Sequence, residues 1–137
     1  MLSGPGWRHE AGVAGVAQHP VILVAEDEPM VAHDLCDTVE EAGFIVEGPY
    51  DDASSAMAAF EKQKPDLAIL DINLAGGTAY SLAEKMMAED VPVIFHSGQV
   101  TSDEVQALYP GASALSKPCP PNVILDTVQQ ALDSAEL

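Results

Sequence analysis

Five short apolar runs mark the chain after Pro20: VILVA (21–25), FIVEG (44–48), LAIL (67–70), VPVIF (91–95) and ASAL (112–115). They recur about every 20 to 25 residues, the rhythm of strand–helix units rather than of a stacked solenoid. The first, third and fourth are almost wholly apolar, as parallel strands covered on both faces must be. The second and fifth mix in polar residues and suit the edges of a sheet. Between the runs, apolar residues return at helical spacing. A first helix is predicted over 29–42, with Pro29 in its first turn, Gly43 as its stop, and a stripe of Val31, Leu35, Val39 and Ala42. A second, over 53–62, follows Asp51 and Asp52 as cap candidates. A third spans 79–88 with Leu82, Ala83, Met86 and Met87. A short fourth covers 102–108 and stops at Pro110–Gly111, and a last one begins near Asn122 and presents Leu125, Val128 and Leu132.

Five such units joined by right-handed crossovers predict an α/β fold, a doubly wound five-stranded parallel sheet with five helices. Residues 1–19, rich in Gly and Ala, read as a flexible N-terminal arm, and 20–137 as a single domain without linker or second domain. In doubly wound sheets, ligands sit at the carboxyl ends of the strands, near the point where strand order reverses. The residues at those ends therefore decide the chemistry.

The first strand delivers Glu26 and Asp27, the third Asp71, the fourth Ser97 and the fifth Lys117. The second delivers only Gly48 and Pro49. Carboxylates converging without a counter-charge raise one another's pKa values and destabilise a fold. A hard divalent cation resolves this, since Mg²⁺ takes oxygen ligands, typically one or two carboxylates with waters and a phosphate. Beside such a cation, Asp71 can act as a nucleophile toward a phosphoryl group. The transferring group spreads charge over three oxygens, which the metal, the Lys117 ammonium and the Ser97 hydroxyl can each meet. Glu28 reads as a charge favouring the N-terminus of the first helix. His33 reads as a helix-surface residue and His96 as a neighbour of the site.

Charge narrows the partners. Against 22 acidic residues stand 5 basic ones, a formal charge of −17. A duplex-binding face needs clustered Lys and Arg to displace phosphate counterions, so neither nucleic acid nor anionic lipid is an expected partner. No run approaches the roughly 18 apolar residues of a membrane span, which makes a cytoplasmic location the expectation. The two cysteines, Cys36 and Cys119, read as free thiols.

Acid pair, lone Asp, Ser and Lys-Pro, in this order and on these strand ends, resemble the receiver domain of two-component response regulators. The resemblance spans about 20–135, and the DINL stretch is similar to small stand-alone receivers. It implies the flavodoxin-like strand order 2-1-3-4-5, with Mg²⁺ held by Glu26, Asp27, Asp71 and the backbone carbonyl of Asn73. It further implies Asp71 as phosphoacceptor, Ser97 as hydroxyl switch residue, Lys117 as the site lysine, and a cis Lys117–Pro118 bond. A histidine kinase or histidine phosphotransfer protein would donate the phosphoryl group, and a downstream protein would read the result. Such a module catalyses only its own phosphorylation and dephosphorylation and is not otherwise an enzyme.

The sequence departs from the family in three places. The stretch from the acceptor on, DINLAGGTAY, lacks the proline and glycine at the places usual in the family's loop, which predicts a more flexible loop. Ala114 stands at the aromatic switch position, and Cys119 follows Lys-Pro where an aromatic is common. An acidic protein-interaction domain with a vestigial acceptor site is the alternative, although the presence of both Ser97 and Lys117 argues against it. A flavodoxin-like cofactor binder is a third reading, but Glu26 to Glu28 would repel a phosphate there.

Overall fold

The computed structural model describes residues 19–75, 77–98 and 102–135; the proposed arm, apart from its last residue, lies outside them. Strands β1 (Val21–Ala25), β2 (Ile45–Tyr50), β3 (Leu67–Leu70), β6 (Val93–Ser97) and β7 (Ser113–Ser116) form one parallel sheet in the order β2-β1-β3-β6-β7. Counting only these five strands, the order is 2-1-3-4-5, as expected, with the mixed-polarity strands at the edges. Helices α1 (Pro29–Glu41), α2 (Ala53–Lys62), α3 (Tyr80–Ala88), α4 (Ser102–Leu108) and α5 (Pro121–Ala135) connect and flank them.

Strand alternation sorts the apolar residues onto two faces. Leu23, Leu70 and Phe95 face α2, α3 and α4, where Ala56, Phe60, Leu82 and Met86 close the layer. Ile22, Val24, Ile69 and Ile94 face α1 and α5, covered by Leu35, Val39, Ile124 and Val128. Burying each of the larger side chains stabilises the fold by roughly 2 kcal/mol.

Helix boundaries follow the sequence reading within a residue or two, but two stripes differ. In α1 the buried face is Ala32, Leu35, Cys36 and Val39, while Val31 is half-buried and Ala42 exposed. In α5 the inward residue is Ile124, and Leu125 is only half-buried. In both helices a neighbour one position along has the same polarity, so spacing alone does not choose the face.

Strand ends differ more. β2 runs on through Gly48 and Pro49 to Tyr50, which pairs with Ala25 after a register shift. Pro lacks an N–H, but on an edge strand that donor is dispensable. β6 extends to His96 and Ser97, beyond the apolar run that ends at Phe95, because β7 pairs with both of them. Within DINLAGGTAY, a two-stranded antiparallel ribbon forms from β4 (Asn73–Leu74) and β5 (Gly77–Thr78), an element absent from the sequence reading. Ala75 bridges to Asp52 beside it. The Lys117–Pro118 bond is cis as expected, and Gly48–Pro49 is cis as well.

Candidate functional site

The carboxyl ends of β1, β3, β6 and β7 converge. Glu26 follows β1; its N–H donates to the Tyr50 carbonyl at 2.8 Å, which ties it to the end of β2. Gly48 permits this approach: its φ is +119°, and a Cβ there would lie 2.6 Å from the Val24 carbonyl oxygen. Asp71 follows β3, and its N–H donates to the Ala25 carbonyl at 2.8 Å. Lys117 follows β7, and its N–H donates to the Ser97 carbonyl at 3.1 Å. Glu26, Asp71 and Lys117 are thus each held by a backbone bond to the neighbouring strand end.

The side chains then meet. Glu26 and Asp71 are buried, at 2% and 5% exposure, while Asp27 is exposed. One carboxylate oxygen from each of the three lies within 4.8 Å of the others. Two oxygen ligands of a six-coordinate Mg²⁺ sit at most about 4.2 Å apart, given metal–oxygen bonds of about 2.1 Å. The carboxylates are therefore gathered on the scale of such a coordination sphere, and an all-oxygen donor set is the chemistry a hard cation selects. Asn73, whose carbonyl was expected as a further ligand, opens β4, and its N–H donates to Asp71 Oδ1 at 3.1 Å. Ser97 closes β6, buried at 2% exposure.

Lys117 supplies the positive charge that the acids require. Its Nζ lies 2.9 Å from Glu26 Oε1, 3.0 Å from Asp71 Oδ2 and 3.4 Å from Glu28 Oε1. Burial works against the ammonium, but Glu26 and Asp71 together keep its pKa above the usual lysine range. The Glu26 pKa is also raised, to about 6, chiefly by burial and in part by Asp71, against the opposing pull of Lys117 and the Glu28 N–H. In the absence of metal, one lysine thus stands among three carboxylates.

Two participants escaped the sequence reading. Glu28 is the N-cap of α1 but makes no capping bond through its side chain; its carboxylate turns instead to Lys117. His96, read only as a neighbour, is buried with Nδ1 3.9 Å from Glu26 Oε1. Its adjacency to Ser97 was the only hint. Among the described residues, Tyr80, Phe95 and Tyr109 form a ring cluster with centroids 5.3 to 5.9 Å apart, Tyr80 stacked on Tyr109 and edge-on to Phe95. Phe95 pairs with Ala114 across the sheet, so these rings stand next to the position where the family places its aromatic.

Comparison with known proteins agrees with this geometry. The phosphate regulon transcriptional regulatory protein PhoB of Escherichia coli is 30% identical over 118 residues, covering 81% of this chain and 51% of that protein. The C4-dicarboxylate transport transcriptional regulatory protein DctD of Pseudomonas aeruginosa is 33% identical over 125 residues, covering 88% of this chain and 27% of its own. This chain thus matches about half or less of the length of these relatives. Among solved structures, a CheY-like response regulator receiver domain protein from Methanospirillum hungatei JF-1 superposes with a TM-score of 0.78 at 25% identity, over 87% of this chain and 98% of that one. The signal receiver domain of a Luxo repressor protein from Vibrio parahaemolyticus shares the fold, with a TM-score of 0.77 at 23% identity over 87% and 94% of the two chains. The family description "response regulator receiver domain" matches residues 22–129, and with acid pair, lone Asp, Ser and Lys at its strand ends this chain belongs to that family.

Proposed function

We propose that the protein is a phosphoacceptor module of two-component signalling, receiving a phosphoryl group on Asp71 in a Mg²⁺-dependent reaction. The observation that carries this reading is the position of Asp71, within ligand distance of Glu26 and Asp27 and 3.0 Å from Lys117. The donor is a phosphohistidine on a histidine kinase or phosphotransfer protein, partners that receiver domains engage. An Asp71 carboxylate oxygen attacks phosphorus, the bond to the donor's imidazole nitrogen breaks, and the imidazole leaves with a proton from solvent. Bound Mg²⁺ supplies charge neutralisation to Glu26, Asp27 and the incoming oxygens. Lys117 meets a second oxygen and Ser97 a third, and the Asn73 N–H orients the acceptor carboxylate. The chain catalyses only its own phosphorylation and dephosphorylation, and its output is a change in protein contacts. Among the described residues no helix is long and apolar enough to cross a membrane, and we place the protein in the cytoplasm.

Incubation with acetyl phosphate and Mg²⁺ tests the reading. Intact-mass analysis should show one added phosphoryl group on the wild type and none on Asp71→Asn. An Asp71→Asn protein labelled as fully as wild type would move the acceptor elsewhere. Wild type that never takes up phosphate would favour the alternative, an acidic interaction domain with a vestigial site.

A further inference from the structure

Two buried polar atoms face each other at the edge of the acidic site. Glu26 Oε1 has no aligned hydrogen-bond donor among the described residues: Lys117 approaches it at 2.9 Å as an ion pair but off a hydrogen-bond direction. His96 Nδ1, 3.9 Å away, is likewise without a partner, and so is Nε2 of the same ring. Both side chains are nearly sealed from water, at 6% and 1% exposure. A buried donor and a buried acceptor are each costly when left unmade, and these two are about 1 Å too far apart to satisfy one another.

Lys117 is shared between Glu26 Oε1 and Asp71 Oδ2, and His96 Nδ1 approaches that same Glu26 oxygen. The other oxygen, Oε2, accepts the Glu28 N–H at 3.2 Å and is thereby fixed. A phosphoryl group on Asp71 brings more negative charge to the Asp71 end of the lysine and draws the ammonium away from Glu26. Glu26 Oε1 then loses the lysine that faces it, and His96 Nδ1, 3.9 Å away, is placed to take its side. A neutral ring still carries one N–H, so it can donate without becoming a cation.

We infer that His96 is a positioning residue for Glu26: protonated on Nδ1, it donates to Glu26 Oε1 when Lys117 turns to the phosphorylated acceptor, and so keeps the carboxylate aimed at the metal. This rests on the phosphoacceptor reading above. It is the arrangement in which a group behind a metal ligand fixes that ligand's orientation. A histidine that merely filled space would serve as well if replaced by leucine.

The test measures Mg²⁺ binding by calorimetry to full-length protein, alone and with beryllofluoride as the phosphoryl stand-in, together with imidazole ¹⁵N shifts. His96→Leu should weaken Mg²⁺ binding about tenfold in beryllofluoride, the lower end of such outer-group effects, and much less without it. His96→Asn, which retains a donor near the Nδ1 position, should recover most of the loss. In wild type, the ring should show protonated Nδ1, with its shift moving when beryllofluoride and Mg²⁺ are added. Leucine and wild type binding Mg²⁺ alike in beryllofluoride would overturn the inference while leaving the acceptor site intact, as would protonation on Nε2 in the beryllofluoride complex. Wild type that binds no Mg²⁺ under either condition would overturn both readings.

Discussion

Lys117 Nζ lies 3.0 Å from Asp71 Oδ2, although 46 residues separate the two in sequence. One ammonium at the end of β7 thereby holds together acids delivered by β1 and β3. That relationship makes the lysine structural as well as functional, and the first prediction follows from it. Lys117→Met should leave Glu26 and Asp71 without their cation and destabilise the metal-free fold by about 3 kcal/mol, the scale for breaking a largely buried ion pair. Millimolar Mg²⁺ should recover part of the loss. Urea unfolding with and without Mg²⁺ measures both, and a variant as stable as wild type without metal would contradict the shared-lysine account.

Mg²⁺ should stabilise the wild type, because ligand bound only to the native state adds about 2.7 kcal/mol at a hundredfold excess over Kd. The effect should depend on pH with a definite sign. Glu26 has a folded pKa raised by burial to about 6 from an ordinary 4.5. Its contribution to the metal-free fold is therefore fully present below about pH 4.5 and lost as pH rises through about 6. Metal requires the ionised carboxylate, so the Mg²⁺-induced shift in melting temperature should grow over that same interval. A shift that stays constant from pH 5 to 7 would remove Glu26 from the ligand set.

Gly48 should tolerate no side chain. Gly48→Ala places a Cβ against the Val24 carbonyl oxygen at a positive φ, at a cost of about 2 kcal/mol or more. Because Tyr50, two residues on, accepts the Glu26 N–H, the same change should weaken Mg²⁺ binding. A normal melting temperature combined with normal Mg²⁺ affinity would show that β2 does not set the position of Glu26.

Phosphorylation should be read out without an aromatic at Ala114. The ribbon after Asp71 leads directly into Tyr80, whose ring stacks on Tyr109 at the end of α4 with centroids 5.3 Å apart. Tyr109 also donates through its hydroxyl to Glu84 Oε2 at 3.1 Å. Movement at Asp71 and Ser97 should therefore reach residues 72–80 and 98–111, of which 76 and 99–101 lie outside the described residues. Hydrogen exchange with and without beryllofluoride should change most in those two segments and little in 122–133. Changes concentrated in α5 would reject this route.

What the sequence determined by itself was the fold class and which polar residues stand at the strand ends, because both rest on local pattern. Strands buried on both faces must be apolar throughout, and the polar residue that ends such a run stands at the sheet edge where ligands bind; VILVAED and LAILD state this outright. Their number and order, with Ser97 and Lys117 after two further runs, left little freedom in where the chemistry lies.

The tertiary structure decided what depends on neighbours distant in sequence. Ile124 rather than Leu125 faces the core, because only the packed position of α5 chooses between adjacent apolar residues. β6 reaches Ser97 because β7 offers it hydrogen bonds, whatever the polarity of His96. Most of all, two of the three acids of AEDEP, Glu26 and Glu28, find their metal-free counter-charge in Lys117, arriving some 90 residues later from another strand. Charge falls off with distance in space and takes no account of separation along the chain, so that pairing and the meeting of His96 with Glu26 exist only once the sheet has formed.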